Sequence, residues 1–372
     1  MNDTLLKPEE RAIFALRELY RRCGYLPFRM SKFEEYDLYV RNKDFLVSDG
    51  IITFNDQNGR LLALKPDVTL SIVKNYQGAP GCTEKVYYNE NVYRPDKGTH
   101  EYKEIPQTGL ECLGDIGDYE LLEVLSLAAE SLSALAEDYV LDLSHLGIIA
   151  GLLEETDADA DFGRRAMPCI GAKNRHELLR LCEQEGIDSA AAERLAALLG
   201  SYGPMEEALA QLRSLGGGER FAASLAHLER LCALLASTPY AAHIRLDFSI
   251  VNDMRYYNSF VFRGYLPGIP EGILAGGQYD NLLRKFGKSG GAIGFAVYLD
   301  LLGQYRRGDE PDTDVLLLYD DSTDPLTLAR TVRELSKDGT RVTAQRDVPQ
   351  KLRFARKLYI REGRLLEDGH DD

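Results

Sequence analysis

The sequence predicts an α+β protein: a sheet delivered in two blocks, flanked by helices, with a helical insertion between the blocks and a small βαβ region after them. Three observations carry this. Short β-type runs separated by turn residues fill the stretch from Gly24 to Gly114. A long Ala-, Leu- and Glu-rich stretch then runs from about Gly147 to Ser237. Strict alternation returns at His243–Ile250, where Ile244, Leu246, Phe248 and Ile250 interleave with polar residues at the period of a half-buried strand.

In chain order, residues 9–22 predict a helix, with Ile13, Leu16, Leu19 and Tyr20 on one stripe and Gly24 placed to end it. Gly50–Phe54 and Leu61–Leu64 flank an Asn58-Gly59 turn and predict a hairpin. Lys85–Tyr93 and Glu104–Leu113 are two further β-rich runs, and Tyr119–Leu135 is a helix with an Ala- and Leu-rich face. The insertion reads as almost wholly helical, punctuated at Gly163, Gly171, Gly186, Gly203-Pro204 and Gly216–Gly218. Strands are expected at Tyr256–Tyr265 and Gly291–Tyr298. From Asp312 the pattern is one βαβ unit: strand Val315–Tyr319, Ser322 or Thr323 as N-cap, helix Pro325–Leu335, a stop at Gly339 and strand Arg341–Ala344. The domain reading is a core of 1–146 and 238–305, a helical insertion at 147–237, and a short C-terminal α/β region at 312–372.

Composition bounds the function. Hydrophobic residues make up 44% of the 372 and charged residues 28%, an ordinary globular balance. No run approaches the roughly 18 apolar residues of a membrane span, and Met1–Glu10 lacks a signal-peptide core, so a cytoplasmic protein with no membrane partner is expected. The six cysteines are scattered without a CxxC pair, which predicts reduced core cysteines and no metal. A net charge of −15 disfavours a polyphosphate partner unless bases cluster, and only the short runs Arg341–Arg346 and Lys351–Lys357 do so. Walker, dinucleotide-binding, zincin and nucleophile-elbow motifs are absent from the sequence, and no cofactor is expected.

Chemistry concentrates in three places. In Leu64-Lys65-Pro66-Asp67-Val68-Thr69, Pro66 stops a strand and leaves Asp67 and Thr69 where the chain exits the sheet. A carboxylate and a hydroxyl so spaced can accept from an ammonium group, or cap the segment running to Tyr76. In Ile105–Gly114, Gln107, Gly109 and Glu111 share one strand face, an amide and a carboxylate flanking a hollow. A solvated sheet face would also place polar residues at alternate positions. The third place is Asn252–Ser259 with Tyr256-Tyr257, followed by Gly276-Gly277-Gln278-Tyr279-Asp280, where tyrosine hydroxyls suit a polar pocket and core packing is the plainer reading.

Taken in order, Gly24-Tyr25, Phe33-Glu34, Asp37-Leu38, Leu64–Thr69, Tyr93-Arg94-Pro95, Gln107-Thr108-Gly109-Leu110-Glu111, Tyr256-Tyr257, Gly276–Asp280 and Gly294-Phe295-Ala296 resemble the core of histidyl-tRNA synthetase over roughly residues 8–302. The resemblance implies an antiparallel class II sheet with a histidine pocket on it. The ammonium-holding residues of that family fall on Asp67, Thr69 and Gln107, and the imidazole readers on Glu111 and Tyr257, with Tyr256 and Tyr279 beside them.

Departures from the family bear on activity. Its Arg-Gly-Leu-Asp-Tyr-Tyr stretch is Asn252-Asp253-Met254-Arg255-Tyr256-Tyr257 here, and its closing Gly-Leu-Glu-Arg is Tyr298-Leu299-Asp300-Leu301. The motif-two arginine falls on Asn91, an arginine-rich stretch has become Thr99–Lys103, and Arg94 stands as the candidate phosphate ligand. Losing one such cation typically costs about 10²–10³ in rate, so no catalytic residue is expected. The short C-terminal region resembles a truncated anticodon-binding domain, which argues against tRNA.

A synthetase-like core of this kind resembles the regulatory subunits of ATP phosphoribosyltransferase. That implies a short-form catalytic subunit as partner, histidine as ligand, allosteric feedback in histidine biosynthesis, a homodimer through the core around Gly24–Val40, and a hetero-octamer. Two rivals stay open. One is a divergent synthetase-like ligase that rebuilt its ATP site from Arg255, Arg263 or Arg284. The other is a stand-alone histidine-binding sensor.

Overall fold

Two 13-residue strands that pair along their whole length organise the molecule. The computed structural model describes residues 6–46, 50–95, 101–251, 256–306, 311–361 and 364–367. In chain order its elements are α1 (Pro8–Arg22), β1 (Leu26–Pro27), β2 (Phe33–Glu35), α2 (Tyr36–Val40), β3 (Thr53–Asn55), β4 (Leu61–Leu64), α3 (Thr69–Asn75), β5 (Thr83–Pro95), β6 (Tyr102–Gly114), α4 (Asp118–Ser133) and β7 (Val140–His145). There follow α5 (Leu146–Glu154), α6 (Ala160–Gly171), α7 (Arg175–Gln184), α8 (Ser189–Leu198), β8 (Tyr202–Pro204), α9 (Met205–Leu215), α10 (Glu219–Leu235), β9 (Ile244–Asp247), β10 (Phe260–Tyr265), β11 (Leu274–Gln278), α11 (Asp280–Lys285), β12 (Gly291–Tyr298) and α12 (Leu299–Arg306). The chain ends with β13 (Thr313–Tyr319), α13 (Pro325–Leu335), β14 (Val342–Gln345), β15 (Phe354–Arg361) and β16 (Arg364–Glu367).

The main sheet has the order β1-β5-β6-β12-β11-β10-β7-β9-β8 and is antiparallel from β5 to β7, with parallel pairs at β1–β5 and β7–β9. Because strand side chains alternate, each face has its own core. On one face Leu110, Cys112, Phe295 and Val297 pack against the stripe of α1 (Ala12, Leu16, Leu19, Tyr20) and the buried side of α4. The Tyr20 hydroxyl lies 3.1 Å from Ser131 Oγ, joining the two helices, and Gly24 ends the α1 segment at φ +83°. On the other face Val86, Tyr88, Leu113 and Ala292 pack against α3 and α11 through Leu70, Val73, Leu282 and Leu283. Residues β2-β4-β3 form a separate three-stranded sheet, with the expected hairpin turning at Gly59 (φ +77°).

Several expectations are corrected. The strand expected over His243–Ile250 is only Ile244–Asp247, because Asp247 Oδ1 accepts the Ser249 N–H at 2.8 Å and turns the chain; Phe248 and Ile250 remain buried. The strand expected from Tyr256 begins at Phe260, and the start of that motif, Asn252–Arg255, lies outside the described residues. Gly163 does not break a helix but lies inside α6. Strand β8 interrupts the helices of the insertion, and β7 and β11 were not expected at all. Cys82 is exposed, while Cys112, Cys182 and Cys232 are buried. Among the described residues no helix is long and apolar enough to cross a membrane.

Residues 1–305 and 306–372 form two compact units. In the second, the βαβ unit is extended by β15 and β16 into a four-stranded sheet of order β14-β13-β15-β16. Val315, Leu317, Leu358 and Ile360 make its core under Leu328, Val332 and Leu335. Its helix is capped by Asp324, whose Oδ2 accepts the Thr327 N–H at 2.9 Å, and not by Ser322 or Thr323, which instead bond Asp320.

A buried histidine joins the first unit's core to α10. His145 Nδ1 accepts the Gly147 N–H at 3.1 Å, so its proton sits on Nε2, between Ser259 Oγ (3.2 Å) and His227 Nδ1 (3.4 Å). Burial, then the facing His227, pushes His145 down to about 3. A depressed folded-state value means that the neutral ring contributes its full stability above the unfolded value near 6.5 and loses it as pH falls toward 3. Urea unfolding should therefore lose about 2 kcal/mol between pH 7.5 and pH 5 from this residue, and His145→Gln should flatten that part of the profile.

Candidate functional site

The site begins where β4 ends. Lys65 is buried and ion-paired with Glu90, and its carbonyl accepts the Tyr93 N–H at 2.9 Å, which fixes the chain against β5. Pro66 then stops the strand, and its carbonyl accepts Arg94 Nε at 2.7 Å. Asp67 Oδ1 accepts the Leu70 N–H at 2.9 Å, so Asp67 does cap α3, while its carboxyl group also lines the cavity. Burial raises the Asp67 pKa; the Arg94 charge and two backbone donors oppose that.

Glu111 is the centre of the arrangement. Thr69 Oγ1 donates to its Oε1 at 2.8 Å, and the Tyr279 hydroxyl donates to its Oε2 at 2.6 Å. Even so, burial pushes this carboxyl up to about 8, since desolvation of the charged form outweighs two hydroxyl donors. The carboxylate has room only because its cross-strand partner is Gly294: a Cβ there would stand 1.7 Å from Glu111 Oε2 and 2.4 Å from the Leu110 carbonyl.

The hollow expected at Gly109 is not a hollow. Tyr88 pairs with Gly109 across the β5–β6 hairpin and lays its ring there, where a Cβ would meet the Tyr88 hydroxyl at 2.6 Å. On β11 the double glycine serves both faces. Gly277 admits the Tyr257 ring on the site side, and Gly276 admits Phe262 and Phe295 on the core side. Tyr256 meets Tyr257 edge-on at 4.6 Å between centroids and leans on Tyr279 at 5.7 Å.

The structure brings Asp67, Thr69, Arg94, Gln107, Glu111, Tyr256, Tyr257 and Tyr279 around one cavity of about 50 Å³. That is far below the roughly 300–1,000 Å³ of clefts that take drug-sized ligands. Tyr88, Tyr298 and Ala275 also line it and were not among the expected site residues; for Tyr88 the available signal was its pairing with Gly109, once the hairpin register is counted out. A larger hollow of about 710 Å³ lies on the surface by Arg17, Arg21, Leu26 and Arg29, but it lacks this convergence of buried polar groups.

The positions where the sequence departs from the synthetases carry other duties. Asn91 Nδ2 donates to Glu104 Oε1 at 2.5 Å. Leu301 packs on the main core. Of the arginines considered as replacements, Arg284 bonds Asn281 at the surface, Arg263 lies on β10 opposite Ala275, and Arg255 is outside the described residues.

The sheet and the cavity on it define a class II synthetase-like core. The histidyl-tRNA synthetase family profile matches residues 5–302. An ATP phosphoribosyltransferase regulatory subunit of Symbiobacterium thermophilum is 31% identical over 279 residues, covering 72% of this chain and 69% of that protein. A crystal structure from Bacillus halodurans, described as an ATP phosphoribosyltransferase regulatory subunit/histidyl-tRNA synthetase, superposes with a TM-score of 0.72 at 25% identity, covering 93% of this chain and 91% of that one. A Thermotoga maritima chain from an ATP phosphoribosyl transferase (HisG:HisZ) complex shares the fold with a TM-score of 0.62 at 20% identity, covering 78% of this chain and 97% of its own length. The chain belongs to the histidyl-tRNA synthetase family, in the branch of the ATP phosphoribosyltransferase regulatory subunits.

Two outcomes follow from the crowding and charge at Glu111. Gly294→Ala should cost about 1–3 kcal/mol in chemical unfolding, because backbone as well as the carboxylate must shift. Glu111 has a raised folded-state value, so its contribution is fully present below about 4.5 and is lost as pH rises through 8. Glu111→Gln should therefore gain on the parent by about 3 kcal/mol between pH 5 and pH 8 in the same measurement.

Proposed function

We propose that this protein is a non-catalytic regulatory subunit that activates a short-form ATP phosphoribosyltransferase and relays histidine feedback to it. The observation that carries the reading is the imbalance of the cavity. Its acceptors and hydroxyls for an amino acid are all present, while among its lining residues Arg94 is the one basic side chain. Adenylation develops negative charge on phosphate and needs cations aimed at it; with Asn91 and Leu301 at two of the expected positions, that requirement is unmet.

In this reading the ligand's ammonium meets Asp67, Thr69 and the Gln107 amide oxygen, and its imidazole N–H meets Glu111 among Tyr256, Tyr257 and Tyr279. Histidine binding here favours one arrangement of the assembly over another, and the partner's activity follows by linkage. The chain pairs with a second copy around residues 24–40 and assembles with the catalytic subunit into a hetero-octamer.

The deciding measurement is phosphoribosyltransferase turnover by the short catalytic subunit of the same organism, with and without this chain. Strong activation that histidine then suppresses is the expected result. Glu111→Gln should keep the activation and raise the histidine concentration needed for suppression about 10- to 100-fold, the loss of a hydrogen bond to a charged group. No activation of a demonstrably active catalytic subunit would discard the reading, and pyrophosphate exchange driven by histidine would favour the ligase instead.

A further inference from the structure

The two short helices beside the cavity are fastened at both ends, and the second fastening lies away from the cavity. At their amino ends Thr69 and Tyr279 both donate to Glu111. At their carboxyl ends a single residue joins them. After α11, Gly287 takes a φ of +68°; its N–H bonds the Arg284 carbonyl at 2.9 Å, and the Lys288 N–H bonds the Leu283 carbonyl at 3.0 Å. That is a Schellman stop, and it fixes the Lys288 backbone to α11. The Lys288 side chain reaches the other helix, where Nζ donates to the carbonyls of Val73 (2.5 Å), Lys74 (2.9 Å) and Tyr76. An ammonium carries three hydrogens and no acceptor, so its capacity is used in full on α3.

Around this clamp three loops enclose a hollow of about 390 Å³: 76–81 after α3, 114–115 after β6 and 287–290 after α11. It shares no lining residue with the cavity. The 7 residues of α3 put about 10 Å between the two. The loops meet backbone to backbone. A Cβ at Gly290 (φ +101°) would stand 2.6 Å from the Gly114 carbonyl, and one at Gly114 (φ +129°) would stand 2.2 Å from the Cys82 carbonyl. No side chain stands between them to rotate aside, and close-packed contacts of this kind pass a displacement on.

We propose that Lys288 is a positioning residue that couples the cavity to this hollow, so that a ligand bound at Glu111 alters the three loops. The inference rests on the amino-acid reading above. A positive charge brought to Glu111 changes what that carboxylate offers to Thr69 and to Tyr279. With their carboxyl ends fastened, α3 and α11 answer as one body. Without the clamp, each helix could shift its amino end and leave its carboxyl end in place. Coupling between two sites requires an element that both of them bias, and the fastened pair of helices is that element.

The test is hydrogen exchange of the full-length protein, read by mass spectrometry with and without saturating histidine, beside isothermal titration with histidine. In the parent, histidine should slow exchange about 3- to 10-fold at 69–73 and 279–282, beside Glu111, and also at 76–81 and 286–290, around the hollow. Lys288→Met removes the three donors. It should bind histidine within about 3-fold of the parent and keep the slowing beside Glu111, while the slowing around the hollow falls below about 1.5-fold. Lys288→Arg, which keeps the charge and several donors, should restore part of it. If histidine slows the hollow's loops by the same factor in Lys288→Met as in the parent, the lysine is only a brace and the proposal is overturned. A parent in which the slowing stops beside Glu111 overturns it too, as does a loss of histidine affinity beyond about 10-fold in Lys288→Met, which would make the lysine a support of the cavity itself. Failure of the parent to bind histidine at all would instead remove the amino-acid reading, and this inference with it.

Discussion

Glu111 holds together three elements that sequence separates widely. Its two oxygens take one hydroxyl from the start of α3 and one from the residue that precedes α11, while its backbone sits in the middle of the sheet. Both helices are short, of 7 and 6 residues, and a helix of that length has little stability of its own. Their far ends are tied as well: Lys288, after α11, donates from Nζ to the carbonyls of Val73, Lys74 and Tyr76 at the end of α3. A cation there meets the negative end of the α3 dipole as well as its unpaired carbonyls. The result is a closed ring, Glu111 to Thr69, along α3 to Lys288, back along α11 to Tyr279 and Glu111. Any group that pulls on the carboxylate therefore pulls on both walls of the cavity.

Glycine makes the ring possible. Gly294 clears space for the carboxylate, Gly109 for the Tyr88 ring and Gly277 for the Tyr257 ring, and each sits on a strand, where glycine otherwise weakens the structure. In sequence these positions read as interruptions, and that explains what was legible and what was not. The helices α1 and α4 announce themselves by their apolar faces and β5 and β6 as two β-rich runs, Gln107 and Glu111 by sharing one strand face, and Asp67 by following the proline that stops a strand. Strand β11, with Leu-Ala-Gly-Gly-Gln, carries no β-branched residue to mark it. Strand β7 lies between two helical stretches, Tyr119–Leu135 and the insertion, and nothing in its sequence pattern set it apart. The filling of the Gly109 site by Tyr88 depends on register, which is fixed only once the two strands are paired.

Charge in the first unit follows the same division. Most ion pairs lie at the surface, such as Arg22–Glu130 and Arg213–Glu229, where they contribute little. Around the cavity the pairs are few and directed. Lys65 is used up by Glu90 and so serves the turn, and Asn91 is used up by Glu104, so neither is aimed at a ligand. Arg94 differs because the turn engages only one of its edges.

The lining of the cavity is expensive to build. Asp67 and Glu111 are both buried and both raised toward the neutral form, and three tyrosines with raised hydroxyl values surround them. A core built for stability alone would do better with an amide at 111, which keeps the shape and sheds the cost of ionisation. What a carboxylate offers in exchange is attraction for positive charge in a space with little water, where that attraction is strong. On the proposed function, an ammonium beside Asp67 and an imidazole beside Glu111 would each return part of the desolvation cost, and that return would come only on binding. Because Glu111 joins α3 to α11, that gain would be delivered to both helices at once. A buried carboxylate that tethers two short helices is a point where the binding of a positive charge and the placement of those helices would be coupled.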